Sequence, residues 1–200
     1  MEQLQIEIDK EIYNTITDEC LAMFESGELN VFTMIQRLMD IPGVPMHYPY
    51  HHYMVPAVLL TVCRTARHDD REVLEADLAK ALDRARNVLG GFCGFYGTCG
   101  AAVGVGIFYS VFTATTPLSD AGWALGNRLV SEALANIASV EGPRCCKRVC
   151  FLTLTWAVPM LDREFSIKLP EQSLDYCRYS DRNTECRKED CPYYRKEMAV

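Results

Sequence analysis

The sequence predicts a mainly α-helical protein: a single compact helical domain with a central apolar helix and an irregular, cysteine-rich C-terminal tail. Apolar residues recur at helical spacing through most of the chain, and capping residues, proline and glycine divide these stretches into helices of ordinary length. The chain turns polar after residue 169. We therefore expect a helical domain over residues 1–169 and a cysteine-rich segment, residues 170–200, packed on it.

The first half of the chain contains one expected strand and three expected helices. Alternating apolar and polar residues predict a short strand at residues 4–8, and helical spacing follows from Ile12 to Phe24. Asn30 is a good N-cap for the next helix. Pro56 suits the first turn of a third helix, from about Met54 to Arg67.

The second half contains the more apolar segments. A helix with one apolar stripe is expected at residues 70–89, and a buried helix from near Cys99 to before Pro117. Ser119 or Asp120 is expected to cap the helix after that. The last long helix is predicted from about Pro143 to Leu161, and its apolar surface on nearly all sides predicts a central position.

Charge and cysteine content restrict the class of function. The formal net charge of -7 argues against nucleic acid as the main partner, because a phosphate backbone attracts a basic surface. The opening residues lack the pattern of a secretory signal, so we expect a cytoplasmic protein. The uncharged run at residues 87–119 contains glycines, threonines and tyrosines, and we interpret it as a loop and a buried helix and not as a membrane span. In a reducing compartment, ten cysteines are typical of metal ligands or redox groups.

Cys93 and Cys99 lie in the glycine-rich stretch GGFCGFYGTCG. Glycine permits tight turns and the close approach of a ligand to the backbone. Thr98 is expected to cap the helix beyond, so that Cys99 lies in its first turn, where the helix dipole favours a thiolate. We predict that both cysteines are catalytic; the alternative is a glycine hinge with two buried thiols.

A second candidate is the segment GPRCCKR. A helix beginning at its proline would place Cys145 and Cys146 in the first turn beside three cationic side chains, which also favours thiolates. We predict that Cys145 is catalytic. Arg144, Lys147 and Arg148 are alternatively an anion-binding group at the helix start. A basic helix end with chance cysteines is the remaining interpretation.

Three further cysteines stand in the polar tail. Cys177, Cys186 and Cys191 cannot all be core residues, and thiolate coordination of zinc or an iron–sulfur cluster would order this segment. Three ligands leave one position open, for which Cys146 is our candidate; a water or a substrate is the alternative.

Three histidines fall in the loop HYPYHHY. Histidine is a common base and metal ligand, and we predict His51 and His52 as proton donors or acceptors in catalysis. The alternative is a loop packed through its tyrosines, with its histidines at the surface.

The segments HHYMVPAVLL, GGFCGFYGTCGAAVGVGIF, EGPRCCKR and NTECRKEDCPYY together resemble an uncharacterised domain family of anaerobic bacteria and archaea. The resemblance extends from His47 to Tyr194. It implies redox or sulfur work in an anaerobic pathway, with an S-adenosylmethionine-dependent enzyme as a possible partner, and it assigns no reaction.

The function predicted from the sequence is redox or sulfur-related chemistry at the glycine-framed cysteines of an iron–sulfur protein, on a small-molecule or protein thiol partner. Whether the chain is an enzyme stays open. The alternatives are a non-catalytic carrier of metal or sulfur, a zinc-stapled module that binds an anionic ligand, and a helical domain with inert thiols.

Overall fold

The computed structural model describes residues 9–195 and shows a single helical domain, which confirms the predicted fold class. The expected strand at residues 4–8 lies outside the described residues. The helices are α1 (Lys10–Glu25), α2 (Val31–Met39), α3 (Tyr50–Arg67), α4 (Arg71–Ala85), α5 (Phe92–Phe95), α6 (Gly100–Phe112), α7 (Trp123–Ala138) and α8 (Cys146–Phe165). Two single 3₁₀ turns follow at Ser180–Arg182 and Lys188–Asp190. Within residues 9–195, no helix combines the length and apolarity that a membrane crossing requires.

The helix at the centre of the domain is α3. It packs against α1, α2, α4, α6 and α8, and 14 of its 18 residues are buried. The sequence assigns this position to the last long helix, because α3 carries several polar residues. The buried hydroxyls of two of them form hydrogen bonds within the helix. Thr61 donates to the carbonyl of Ala57 at 2.7 Å, and Thr65 donates to the carbonyl of Thr61 at 2.8 Å.

α3 begins at Tyr50, so the predicted start near Met54 is wrong, and Pro56 lies inside the helix. Proline within a helix cannot donate to the carbonyl four residues earlier, here that of His52. α6 lies against this point through Gly104, where an added Cβ would stand 2.8 Å from Cδ of Pro56 and 3.3 Å from the His52 oxygen. The close approach of α6 therefore depends on glycine.

The other corrections concern helix starts. α7 begins at Trp123 and its N-cap is Gly122, with φ of 87°, in place of Ser119 or Asp120. The Ser119 hydroxyl accepts from the backbone N–H of Thr116 at 2.9 Å and closes a turn of its own. α8 begins at Cys146 instead of Pro143, and Cys145 is its N-cap.

The tail is fastened to the helices by polar contacts. The side chain of Gln172 accepts from the backbone N–H of Val31 at 2.8 Å and donates to the carbonyl of Leu29 at 3.1 Å, at the start of α2. Tyr179 is buried, and its hydroxyl donates to Asp40 at 3.0 Å. These contacts place the cysteines of the tail beside the start of α8.

Gly100→Ala tests the close packing of α6 on α3. An added Cβ would lie 2.1 Å from Cδ2 of His52, whose ring is held because Nδ1 donates to the Val88 carbonyl at 2.8 Å. We expect overpacking to lower the free energy of unfolding by about 1–3 kcal/mol in urea denaturation. Gly94→Ala, with no atom within 4 Å of the added Cβ, is the matched control. Equal stabilities of the two variants would contradict this packing.

Candidate functional site

Four cysteines line one largely enclosed cavity, which lies between the start of α8 and the tail. We call them the tail thiol group: Cys145, Cys177, Cys186 and Cys191. Apolar and aromatic side chains form part of the wall, and polar residues, among them Arg148, Asn183 and Arg187, form the remainder. The three cysteines predicted as tail ligands are thus brought together, and the fourth thiol beside them is Cys145 instead of Cys146.

Backbone and side-chain N–H groups point at three of these sulfurs. Cys145 Sγ accepts from the backbone N–H of Arg148 at 3.4 Å and from Nδ2 of Asn183 at 3.5 Å. Cys186 Sγ accepts from the backbone N–H of Lys188 at 3.4 Å. The backbone of Tyr179 similarly favours the thiolate of Cys177. Donors of this kind stabilise negative charge on sulfur, as in metal–thiolate sites.

Burial outweighs these donors in the protein alone. It raises the pKa of the Cys145 thiol, although the Arg148 N–H and guanidinium lower it. Burial likewise raises the pKa of Cys177 to about 11. The sequence predicts that the helix start and its cations favour thiolates here, but desolvation of a charged sulfur has the larger effect.

A second set of cysteines, the glycine-loop thiol group, comprises Cys93, Cys99, Cys146 and Cys150. The pKa of Cys146 is raised to about 12, first by burial and then by the neighbouring thiols of Cys99 and Cys145. The pKa of Cys150 is raised well above its ordinary value by burial and then by Cys146 and Cys99. Cys99, Cys146 and Cys150 therefore lie within electrostatic range of one another, and Cys93, the exposed member, lies within range of Cys99.

Cys99 is the N-cap of α6, one position before the predicted first turn, and Thr98 does not cap the helix. The backbone of Ala101 and Ala102 favours its thiolate, yet burial raises its pKa overall. Cys93 raises the pKa of Cys99 as well, which places the two glycine-framed thiols near each other.

The three loop histidines occupy three different environments. His52 packs its ring over Gly100, next to Cys99. His51 donates through Nδ1 to the Tyr48 carbonyl at 2.8 Å, while its buried Nε2 has no hydrogen-bond partner among residues 9–195. His47 lies between α8 and the tail, so the histidines do not converge on one point.

His47 forms contacts on both sides of its ring. Nδ1 accepts from the backbone N–H of Cys146 at 3.4 Å, so Nε2 carries the hydrogen. Nε2 lies 3.1 Å from Oδ1 of Asn183 and 2.8 Å from Oε2 of Glu185. The ring thereby joins α8 to the tail.

The three cationic side chains also separate. Arg144 is exposed and lies 3.7 Å from Glu185. Lys147 is buried, its Nζ donates to the Pro45 carbonyl at 3.4 Å, and burial lowers its pKa to about 8. Arg148 donates to the carbonyls of Glu141 and Pro143 at 3.1 and 2.8 Å. Lys147 and Arg148 thus bind backbone oxygens of the protein itself.

The four cysteines of the tail thiol group line the cavity together. Among residues 9–195, no three side chains of His, Cys, Asp or Glu come together in the arrangement of a single-ion site. The donor set nevertheless consists of four thiols with N–H donors and apolar walls, which is the chemistry of an iron–sulfur site.

A protein-family model matches residues 16–194, which include every member of both thiol groups. The chain belongs to DUF5714. This family is described as a family of unknown function. No curated protein and no solved structure matches the chain. The family match covers both the helical body and the tail of this DUF5714 member.

The buried histidines of this DUF5714 member predict acid sensitivity. Burial lowers the pKa of His51 well below 6.5, and also lowers that of His52. The unfolded chain therefore binds protons near pH 6.5 that the folded chain does not, and the free energy of unfolding falls as pH drops below that value. The slope reaches about 1.4 kcal/mol per pH unit for each group.

His51→Asn retains a donor for the Tyr48 carbonyl and removes the titration of this side chain. In denaturation curves, we therefore expect the free energy of unfolding to fall less steeply between pH 6.5 and 5, the interval of about 1.5 units below the ordinary histidine pKa. His68→Asn is the control, because His68 is exposed and asparagine tolerates its left-handed backbone. Identical slopes for His51→Asn and the wild-type protein would contradict the assignment.

Proposed function

We propose that this protein binds an iron–sulfur cluster through the tail thiol group and uses it for redox or sulfur chemistry with the glycine-loop thiols. The observation that carries this proposal is that four cysteines, from two segments far apart in the sequence, line one enclosed cavity. Four cysteines are the usual ligand set of such clusters.

The arrangement favours a cluster over a single zinc ion. Tetrahedral zinc has bonds to sulfur of about 2.3 Å, which requires the sulfurs to stand about 3.8 Å apart around one point. No three donors in the described part of the chain meet in this way. A cluster is a body of several atoms, so its four ligands stand farther apart, around the cluster as a whole.

The surroundings suit a buried cluster. Phe151 and Tyr193 are in edge-to-face contact, with ring centroids 5.5 Å apart, and Phe151 also stacks on Tyr179 at 6.4 Å. These rings cover part of the cavity, and low exposure to water is one of the features that set a cluster's reduction potential. A bound cluster would supply one-electron transfer.

The glycine-loop thiols are the proposed place of contact with the substrate. Cys93 is exposed on the short helix α5 beside Phe95 and its C-cap Tyr96, both also exposed, so a thiol or sulfur compound can reach it. Cys99 lies behind it, and Cys146 is the neighbour of the proposed ligand Cys145 along the chain. The two thiol groups therefore adjoin at the start of α8, and His52, above Gly100, is the nearby candidate for proton transfer.

We further propose a cytoplasmic location, where these thiols stay reduced. The partner is a small-molecule or protein thiol or sulfur compound, and the sequence resemblance favours an S-adenosylmethionine-dependent enzyme among protein partners. The raised pKa of Cys99 keeps its thiol protonated until a substrate or neighbouring base removes the proton.

The test is analysis of iron and acid-labile sulfide, with a visible spectrum, on protein purified without oxygen. We expect iron and sulfide together in the wild-type protein, and their loss in Cys145→Ser, Cys186→Ser and Cys191→Ser. Serine is a favoured N-cap, so Cys145→Ser retains the start of α8, and circular dichroism should show unchanged helix content. Cys93→Ser, outside the cavity, is the control and should retain the iron.

Two outcomes would contradict the proposal. Tightly bound zinc without sulfide would favour a zinc-stapled module in place of the cluster protein. Wild-type protein without metal, or equal iron content in Cys186→Ser and Cys93→Ser, would exclude the tail thiol group as the cluster site.

A further inference from the structure

We propose that Asn183 is a positioning residue for Cys145, and that its side-chain amide raises the reduction potential of the cluster by donating a hydrogen bond to the ligand sulfur. This inference rests on the proposed function. Its basis is the 3.5 Å contact from Nδ2 of Asn183 to Sγ of Cys145, formed by two side chains that are both buried.

The orientation of the amide is fixed by its other contacts. Oδ1 of Asn183 accepts from the backbone N–H of Glu185 at 3.1 Å and lies 3.1 Å from Nε2 of His47. His47 accepts at Nδ1 from Cys146, so its Nε2 is a donor. Both neighbours of Oδ1 are therefore donors, and the amide nitrogen must face the sulfur of Cys145.

The effect on the cluster follows from charge. Reduction adds one electron from an external low-potential donor, no bond of the protein breaks, and the added negative charge is shared with the ligand sulfurs. A hydrogen bond to sulfur stabilises this more negative state more than the oxidised state, which raises the potential. Burial strengthens the bond, because the surroundings screen it less than water does.

At Cys145, the proposed ligand sulfur accepts a hydrogen bond from a side chain, that of Asn183. Its other donor is the backbone of Arg148, which α8 fixes in place. The donor at Cys186 is likewise backbone, from Lys188. Asn183 is thus a donor that substitution can remove without altering a helix, and Asn183→Asp, which keeps an oxygen at the position of Oδ1, also keeps the acceptor for the Glu185 N–H.

The test compares two variants of Asn183 in the full-length protein loaded with cluster. Asn183→Asp retains the oxygen that faces His47 and replaces the donor with an acceptor. Asn183→Leu has a similar volume, lacks the donor and adds no charge. Iron and sulfide are measured first, and the midpoint potential is then determined by anaerobic titration with dithionite, followed by electron paramagnetic resonance.

We expect both variants to retain the cluster and to show a more negative midpoint potential than the wild-type protein. Gln172→Leu is the matched control, because Gln172 fastens the same tail to the start of α2 and its hydrogen bonds go to backbone groups and not to the four sulfurs. Its potential should equal that of the wild-type protein.

Unchanged potentials in cluster-loaded Asn183→Leu and Asn183→Asp would overturn the inference and leave the proposed function intact. An equal shift in Gln172→Leu would also overturn it, because the position of the tail would then be the cause. Loss of the cluster in both Asn183 variants, with Gln172→Leu loaded, would overturn it in favour of a role in assembly. A wild-type protein that binds no iron would overturn the proposed function as well.

Discussion

The contacts of His47 hold together the three segments on which the candidate site depends. Its ring lies between the backbone N–H of Cys146 on α8 and the side chains of Asn183 and Glu185 in the tail, while its own backbone belongs to the loop before α3. With α8 fixed in this way, Cys145 has an extended backbone, with φ of -143°, and Cys146 is helical. The two adjacent thiols can then serve different groups, Cys145 with the tail and Cys146 with the glycine loop.

Burial is the second constraint, and it explains why thiols so near cations are protonated. The pKa values of Cys145, Cys146 and Cys177 are all raised, with desolvation as the largest cause, despite N–H donors directed at their sulfurs. A metal–thiolate bond supplies the positive charge that desolvation makes necessary, and the N–H donors then add to it. The tail has few aliphatic residues with which to form a core, and ligation of its cysteines would contribute to its order.

Local sequence patterns predicted the helices well. Tertiary contacts determined the features that these patterns did not predict. The Asn30 cap and the glycines before α6 identified both helix starts within a residue. Pro56 led to a wrong predicted start for α3, because proline is commonest in the first turn of a helix. The glycine of α6 that makes room for Pro56 is far away in the sequence.

The start of α8 was predicted three residues too early, at Pro143. That shift decides which of two neighbouring cysteines faces the tail, so the fourth thiol of the cavity was predicted as Cys146. Nothing in the spacing pointed to Asn183, whose role depends wholly on the fold.

Locating the metal would test whether the cavity between α8 and the tail is the proposed cluster site. Crystals grown without oxygen, with anomalous diffraction recorded at the iron absorption edge, would show where iron lies. We expect iron density enclosed by the sulfurs of Cys145, Cys177, Cys186 and Cys191. Iron beside Cys99 and Cys146 instead, or four free thiols around a cavity without iron, would contradict this proposal.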